Sequence, residues 1–370
     1  MKTYFIKTFG CQANEADSER IAALYQKKGY QPAENLEQAD VVIINTCSVR
    51  QSAEHRVGGL LSNIKYQISN IKKTNKKSKK IKPKIVLAGC MLRYGISDLM
   101  RRYPQIDEFL RVEEVGFDLQ PLREDRKEAL VPIMEGCNNF CSYCVVPYAR
   151  GREKSRPFEG IICEVEKLVK QGYREITLIG QNVNAYGKDL EIANIKKQIS
   201  KIQIKNQKEI VRKYRTPFAL LLAVLDKIPK LKKVSFLTSN PWDLTDEIIQ
   251  SMKLPKIDRY LHLPVQSGDD EILKKMNRPY TASQYISLIN KIRERIPEIK
   301  IGTDIIVGFP GETKEQFENT VKLCKKANFE KVYISKYSPR PGTVAFKLKD
   351  DVSPLEKKRR WRILEELVNK

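Results

Sequence analysis

Cys137, Cys141 and Cys144 stand in the string Cys137-Asn138-Asn139-Phe140-Cys141-Ser142-Tyr143-Cys144, a CxxxCxxC spacing that puts three thiols on one short loop. Clustered thiolates are soft ligands and suit zinc or an iron–sulfur centre. A zinc site takes four protein ligands and favours CxxC pairs, and no second pair accompanies this loop. Three ligands fit a 4Fe–4S cluster whose fourth iron stays open to an exogenous amine and carboxylate. A second set is dispersed along the chain: Cys11 follows Thr8-Phe9-Gly10, Cys47 follows Asn45-Thr46, and Cys90 follows Ala88-Gly89. One cysteine of this kind would read as a small buried hydrophobe. Three in the same local setting read as ligands that the fold must gather.

The elements that would gather them are short apolar runs. Thr3-Tyr4-Phe5-Ile6, Val41-Val42-Ile43-Ile44 and Ile85-Val86-Leu87-Ala88 are rich in β-branched residues and are followed by Gly10, Asn45 and Gly89. A helical pattern over 18–28, ended by Gly29, separates the first two. Strands alternating with helices predict an α/β fold whose N-terminal domain is a doubly wound parallel sheet. The carboxyl ends of its strands open into one crevice, which would bring Cys11, Cys47 and Cys90 together. Beyond the cysteine loop, strand-like runs near 131–136, 174–180, 233–238, 260–265, 299–308 and 331–337 alternate with helical patterns such as 159–171 and 313–327. Thr313 with Gln316 gives the second of these an N-terminal cap. Six such repeats predict a partial (β/α)6 barrel with its chemistry at the carboxyl ends of the strands. Gly180-Gln181-Asn182, Ser239-Asn240-Pro241, Gln266-Ser267-Gly268 and Gly308-Phe309-Pro310-Gly311-Glu312 fall at those ends, although singly each reads as a turn. The boundaries read as 1–125, 126–352 and a helix over 353–370 that Ser353, Pro354 and Glu356 begin.

The net charge of +23, from 68 Lys plus Arg against 45 Asp plus Glu, favours polyanionic partners, above all nucleic acid. Part of the excess lies in Lys/Ile/Asn-rich stretches that biased composition alone can produce. The 65–84 stretch reads as a solvated surface loop, and 196–215 as an inserted helix or loop on the barrel surface. No run approaches the apolar length needed to span a bilayer, and the N-terminus lacks a signal-peptide core. The chain therefore reads as cytoplasmic, where thiols stay reduced and disulfides are not expected. Cys163 and Cys324 read as packing residues, His55 as a surface helical residue and His262 as a packed strand residue. Arg150 and Arg156, close after the cysteine loop, suit a carboxylate or phosphate, or a surface ion pair.

Taken together, these strings resemble the methylthiotransferases of the radical-SAM superfamily over nearly the whole chain. The carrying residues are Thr8-Phe9-Gly10-Cys11-Gln12-Ala13-Asn14, Asn45-Thr46-Cys47-Ser48-Val49-Arg50, Gly89-Cys90 and the CxxxCxxC loop. Pro147-Tyr148-Ala149-Arg150-Gly151, Leu261-His262-Leu263-Pro264-Val265-Gln266-Ser267-Gly268 and Ser338-Pro339-Arg340-Pro341-Gly342-Thr343 extend the match. With Asp17-Ser18-Glu19 and Val49-Arg50 the opening strings look most like the MiaB branch, which acts on tRNA. The resemblance implies two 4Fe–4S clusters. Cys137, Cys141 and Cys144 would hold the one that reductively cleaves S-adenosylmethionine to a 5′-deoxyadenosyl radical, and Cys11, Cys47 and Cys90 the auxiliary one. Tyr143 occupies the place of an aromatic beside the adenine, and Gln181, Ser239 and Gln266 are the further candidates for the S-adenosylmethionine pocket. The implied reaction is methylthiolation at C2 of N6-isopentenyladenosine next to the anticodon. Implied partners are tRNA and a reductant such as flavodoxin or ferredoxin, with the protein a monomer and no membrane involved. Other branches act on threonylcarbamoyl-adenosine or a ribosomal protein, and a non-catalytic iron–sulfur RNA-binding protein would carry the same cysteines. Two departures stand out. Asn240 replaces the family's usual His before Pro241, and the small RNA-binding TRAM barrel that usually ends the family is not expected within a sequence that stops at Lys370.

Overall fold

Val41–Thr46 is buried along its whole length, which a strand achieves only when both faces of its sheet are covered. In the computed structural model, which describes residues 1–370 except 49–50, 75–81, 118, 124–126, 203–205 and 370, that strand is the centre of a five-stranded parallel sheet. Its elements are β1 (Thr3–Phe9), α1 (Gln12–Lys27), β2 (Gln31–Pro32), β3 (Val41–Thr46), α2 (Gln51–Thr74), β4 (Lys84–Gly89), α3 (Ile96–Arg102), β5 (Glu108–Leu110) and α4 (Val112–Val115). The strand order is β2-β1-β3-β4-β5, one of the two common doubly wound orders. Alternation divides the core. Val42 and Ile44 join Ala53, Val57, Leu61 and Ile64 of α2 on one face. Val41 and Ile43 join Ile21 and Tyr25 of α1 on the other. Each fully buried aliphatic side chain here contributes roughly 1.5–3 kcal/mol.

The chain continues with β6 (Glu128–Pro132), β7 (Met134–Glu135), α5 (Val146–Arg150), β8 (Lys154–Ser155), α6 (Phe158–Lys170) and β9 (Glu175–Ile179). Then come α7 (Ile192–Lys201), α8 (Gln207–Lys213), α9 (Pro217–Asp226), β10 (Lys233–Phe236), α10 (Asp246–Ser251), β11 (Tyr260–His262), α11 (Asp270–Lys275) and α12 (Ala282–Arg295). β12 (Lys300–Val307), α13 (Lys314–Ala327), β13 (Lys331–Lys336) and α14 (Pro354–Val368) complete it. The first unit comprises Met1–Asp125 with Tyr148–Arg150, and the second Arg126–Pro147 with Gly151–Lys370. Two parallel sheets, β6-β9-β10 and β11-β12-β13, form the second unit's core. An isolated parallel bridge pairs Val234 of β10 with Ile257 on the segment leading into β11, so the six strands follow one another in sequence order as a partial barrel. Residues such as Val131, Leu178, Val234, Leu261, Ile305 and Val332 pack outward against the helices in one large core.

Several sequence expectations are corrected. The 65–84 stretch is not a loop throughout: α2 runs to Thr74, since no Pro or Gly falls between Lys65 and Pro83 and the residues of that run carry fair helix propensity. Residues 75–81 lie outside the described set. The predicted strand over 131–136 is two strands, because the chain turns after Pro132 and Met134–Glu135 pairs antiparallel with Lys154–Ser155. The 196–215 stretch forms most of α7 and α8, and these are more than surface decoration. Residues Phe218–Asp226 of α9 are buried all round, so that helix needs a cover, and Ile195, Ile199, Ile210 and Tyr214 supply it. Cys163 is exposed rather than packed, because the buried stripe of α6 runs through Phe158, Ile161, Ile162, Val165, Leu168 and Val169 and leaves position 163 outside. Cys324 is buried. Arg156 is no surface group: it is buried and pairs with Glu164 at 2.7 Å. Thr313 and Gln316 form a reciprocal capping box, and Ser353 caps α14. That helix packs into the same core through Leu364, and its Arg360 meets the buried Glu312 of the Gly-Phe-Pro-Gly-Glu turn at 2.7 Å.

Candidate iron–sulfur sites

Register brings the dispersed cysteines together. Phe9 aligns with Thr46 and Thr46 with Gly89, so Cys11, Cys47 and Cys90 leave three adjacent strands at one edge. The backbone N–H of Cys47 donates to the Phe9 carbonyl at 2.7 Å. A buried polar network locks the strand ends. Asn14 Nδ2 donates to Asn45 Oδ1 and to the Thr46 carbonyl, both at 3.2 Å, and Asn45 Nδ2 donates to the Asn14 carbonyl at 2.7 Å and to Ser18 Oγ at 2.9 Å. Gly89 holds φ +88°, and a Cβ there would lie 2.4 Å from the Thr46 carbonyl oxygen, so no other residue fits. Asp17 and Arg20 are buried at 2.6 Å, and Arg150 Nη2 shares the same carboxylate at 2.6 Å. Arg150 Nε lies 3.3 Å from Cys90 Sγ. A hydrogen bond with Cys47 is the main reason the Cys11 thiol sits at about 6, against the opposing effect of its own burial.

The compact trio is held by backbone bonds. Gly136, just before Cys137, donates its N–H to Gln181 Oε1 at 2.6 Å, and Cys137 donates to the Gly151 carbonyl at 3.2 Å. Ser142 donates through N to the Met276 carbonyl at 3.0 Å and through Oγ to Lys275 at 2.7 Å, and its own carbonyl accepts from Ala345 at 2.7 Å. Asn277 Nδ2 donates to the Asn139 and Phe140 carbonyls at 3.2 and 3.0 Å. Tyr143 packs on a small apolar cluster of Ile272, Met276, Phe309, Tyr337 and Ala345. Burial pushes the Cys137 thiol to about 11 and the Cys144 thiol to about 12. Arg278 Nη1 lies 3.7 Å from Cys141 Sγ.

Of the residues read as an S-adenosylmethionine pocket, Gln181 bonds the backbone of the cysteine loop and Tyr143 packs beneath it. Ser239 is buried at the end of β10 with no hydrogen-bond partner for its Oγ, and Asn182 Oδ1 at the end of β9 is likewise unpartnered. Buried unpaired polar atoms are costly and call for a ligand. Thr238, next to Ser239, and Gln266, past the end of β11, hold φ of 69° and 68°, strained values that concentrate at functional sites. His262 pairs with Asp304 at 2.7 Å, with Tyr333 edge-on at 5.5 Å, rather than simply packing. Sequence reasoning missed Arg278, whose partner cysteine lies 137 positions away.

The donor sets fit clusters better than single ions. Among the described residues no three His, Cys, Asp or Glu side chains converge on a point that would hold one ion. A four-iron cluster asks instead for one thiolate at each of three separate irons, which spreads the ligands apart. Each trio also has an arginine N–H turned to one sulfur, the kind of outer contact that accompanies sulfur-ligated metals.

Comparison with known proteins agrees. Residues 131–324 match the radical SAM superfamily, and residues 3–111 match the family described as uncharacterized protein family UPF0004. The tRNA-2-methylthio-N(6)-dimethylallyladenosine synthase of Thermoanaerobacter sp. (strain X514) is 42% identical, covering 99% of this chain and 78% of the relative. That of Clostridium tetani is 40% identical over 100% of this chain and 81% of its own length. That of Thermotoga petrophila is 42% identical over 98% and 80%. Among solved structures, the radical S-adenosylmethionine methyltransferase TsrM from Kitasatospora setae aligns with a TM-score of 0.61 at 15% identity, covering 94% of this chain and 75% of that one. The cobalamin-dependent S-adenosylmethionine radical enzyme OxsB aligns at 0.58 and 10%, covering 98% and 56%. Those two likenesses concern the fold; the curated relatives reach further, and by them the chain belongs to the radical SAM superfamily and, within it, to the tRNA-2-methylthio-N(6)-dimethylallyladenosine synthases.

Proposed function

We propose that this enzyme adds a methylthio group to C2 of N6-isopentenyladenosine beside the anticodon of tRNA. The observation that carries the reading is the presence of two cysteine trios, one in each unit, in a chain of this family. Cys137, Cys141 and Cys144 are assigned to one 4Fe–4S cluster, and Cys11, Cys47 and Cys90 to the other. When bound, the clusters with S-adenosylmethionine supply the electron that starts hydrogen removal from an unactivated C–H bond, and the sulfur and methyl that replace it. The protein's part is to hold these groups still. Gln181, Ser142 and Asn277 fix the backbone of the compact loop, and Ser239 and Asn182 offer unpaired polar atoms to the amino-acid or ribose groups of S-adenosylmethionine. Asn14, Asn45 and Gly89 fix the strand ends that carry the dispersed trio.

Units bounded near residue 125, a monomeric state, a small electron-transfer protein as reductant and a cytoplasmic setting complete the proposal. No helix among the described residues is long and apolar enough to cross a membrane, and the net charge of +23 suits a polyanionic substrate. The test is nucleoside mass spectrometry of tRNA from a bacterium lacking its own methylthiolating enzyme, with and without this gene. The expected result is a 2-methylthio-isopentenyladenosine peak that disappears in Cys11→Ala and in Cys141→Ala. Unmodified isopentenyladenosine, alongside purified protein that still makes 5′-deoxyadenosine, would overturn the substrate.

A further inference from the structure

Arg278 is buried in the second unit, and every group that seats it is neutral. Its guanidinium lies over Trp242 at 4.7 Å and beside Tyr280 at 5.3 Å. Nε donates to Tyr280 Oη at 3.0 Å, Nη1 to Asn240 Oδ1 at 3.3 Å and Nη2 to the Pro264 carbonyl. Nη1 also faces Cys141 Sγ at 3.7 Å. Among the described residues no carboxylate pairs with it. Arg150, the arginine at the other trio, differs on this point, because it shares the buried carboxylate of Asp17 with Arg20.

We propose that Arg278 sets the reduction potential of the cluster assigned to Cys137, Cys141 and Cys144, by holding an unpaired positive charge and an N–H against the Cys141 sulfur. The inference rests on that ligand assignment. Reduction adds one negative charge to the cluster. A cation a few ångströms away in a poorly solvated site favours the reduced form, and an N–H on a ligand sulfur acts in the same direction. The aromatic seat lets the guanidinium stay dry without a counter-charge. Arg278 is therefore a positioning and tuning residue that brings the cluster within reach of a physiological donor.

The test is a redox titration followed by electron paramagnetic resonance. It uses the full chain, reconstituted with iron and sulfide, in a background where Cys11, Cys47 and Cys90 are each replaced by Ala so that one cluster remains. Arg278→Gln is expected to lower the ratio of reduced to oxidised cluster at least tenfold at a fixed potential, a midpoint drop of about 59 mV for one electron. Arg278→Lys is expected to keep most of the potential. Asn240→Asp leaves the arginine in place and gives it the carboxylate that Arg150 has, so it is expected to lower the midpoint as well. If Arg278→Gln fails to load its cluster, Asn240→Asp decides alone. Unchanged midpoints in cluster-loaded Arg278→Gln and Asn240→Asp overturn the proposal. So does a drop in Arg278→Gln with none in Asn240→Asp, which would mark a reshaped site rather than a charge effect. A signal that survives Cys141→Ala in the same background removes the ligand assignment, and the proposal with it.

Discussion

The two cysteine trios reach the same count of thiols by opposite routes. Cys137, Cys141 and Cys144 come from eight consecutive residues, so their proximity is nearly guaranteed by the chain and only their orientation must be fixed. Cys11, Cys47 and Cys90 come from three strands whose alignment depends on the whole sheet. The first route spends its stabilising contacts on backbone hydrogen bonds around a loop; the second spends them on a buried Asn and Thr network and a packed core. The sites differ in electrostatics too. In the loop trio burial holds the Cys137 and Cys144 thiols high, while Cys11 is held low by Cys47. A local site should therefore survive damage to the distant sheet, whereas the assembled site should not survive loss of register.

The largest test of this contrast is cysteine removal. Cys141→Ala should abolish both 5′-deoxyadenosine formation and methylthio product, whereas Cys11→Ala should keep the first and lose only the second. Each variant should fall from about eight irons per chain to about four. Retention of product by either would break the division of labour. Next come the two glycines. Gly89→Ala and Gly136→Ala both force a side chain into left-handed backbone, at φ of +88° and +76°, against carbonyl oxygens 2.4 and 2.0 Å away. Each should cost about 3 kcal/mol, read by chemical denaturation of the apo chain. Gly89→Ala should deplete the auxiliary cluster and Gly136→Ala the other, as resolved by spectroscopy; the same cluster lost in both would erase the distinction. A smaller effect is expected from Gln181→Ala, which strands the buried Gly136 N–H at about 1–2 kcal/mol and should weaken loading of the loop cluster while S-adenosylmethionine binding to loaded protein changes little. The smallest concerns apo-chain reactivity at pH 7. With its value near 6, Cys11 is mostly thiolate there, whereas Cys137 near 11 and Cys144 near 12 stay protonated. Alkylation in a Cys163→Ser background should therefore label Cys11 at least about tenfold faster than either, by peptide mass spectrometry. Equal rates would mean the first site is not organised before iron binds.

The same contrast governs what the sequence could disclose. The loop trio is legible because its spacing is its geometry. The dispersed trio is legible one step later, because each Cys follows a recognisable strand and parallel strands share a carboxyl edge. Arg278 was invisible: it sits in Asn277-Arg278-Pro279, an unremarkable turn, and only the closing of the barrel carries it to Cys141. Gln181 stands at the strand end where the sequence places it, but its bond to the Gly136 N–H is not legible, since nothing local says that a turn glutamine reaches a neighbouring loop. The charge of the Lys-rich run suggests a loop, although charge alone does not end a helix. For Cys163 the general tendency of cysteines to be buried misleads, and its position off the apolar stripe of α6 is the better guide.

Helix α2 has a geometrical consequence of its own. It starts just beyond Cys47 and returns past its sheet, and its 24 residues extend to Thr74, roughly 36 Å at 1.5 Å per residue. The six residues of β3 cover only about 20 Å at the rise of a strand. The helix thus overshoots the amino edge of the sheet, and its last turns, reading Asn70-Ile71-Lys72-Lys73-Thr74, stand at the opposite end of the unit from the thiols.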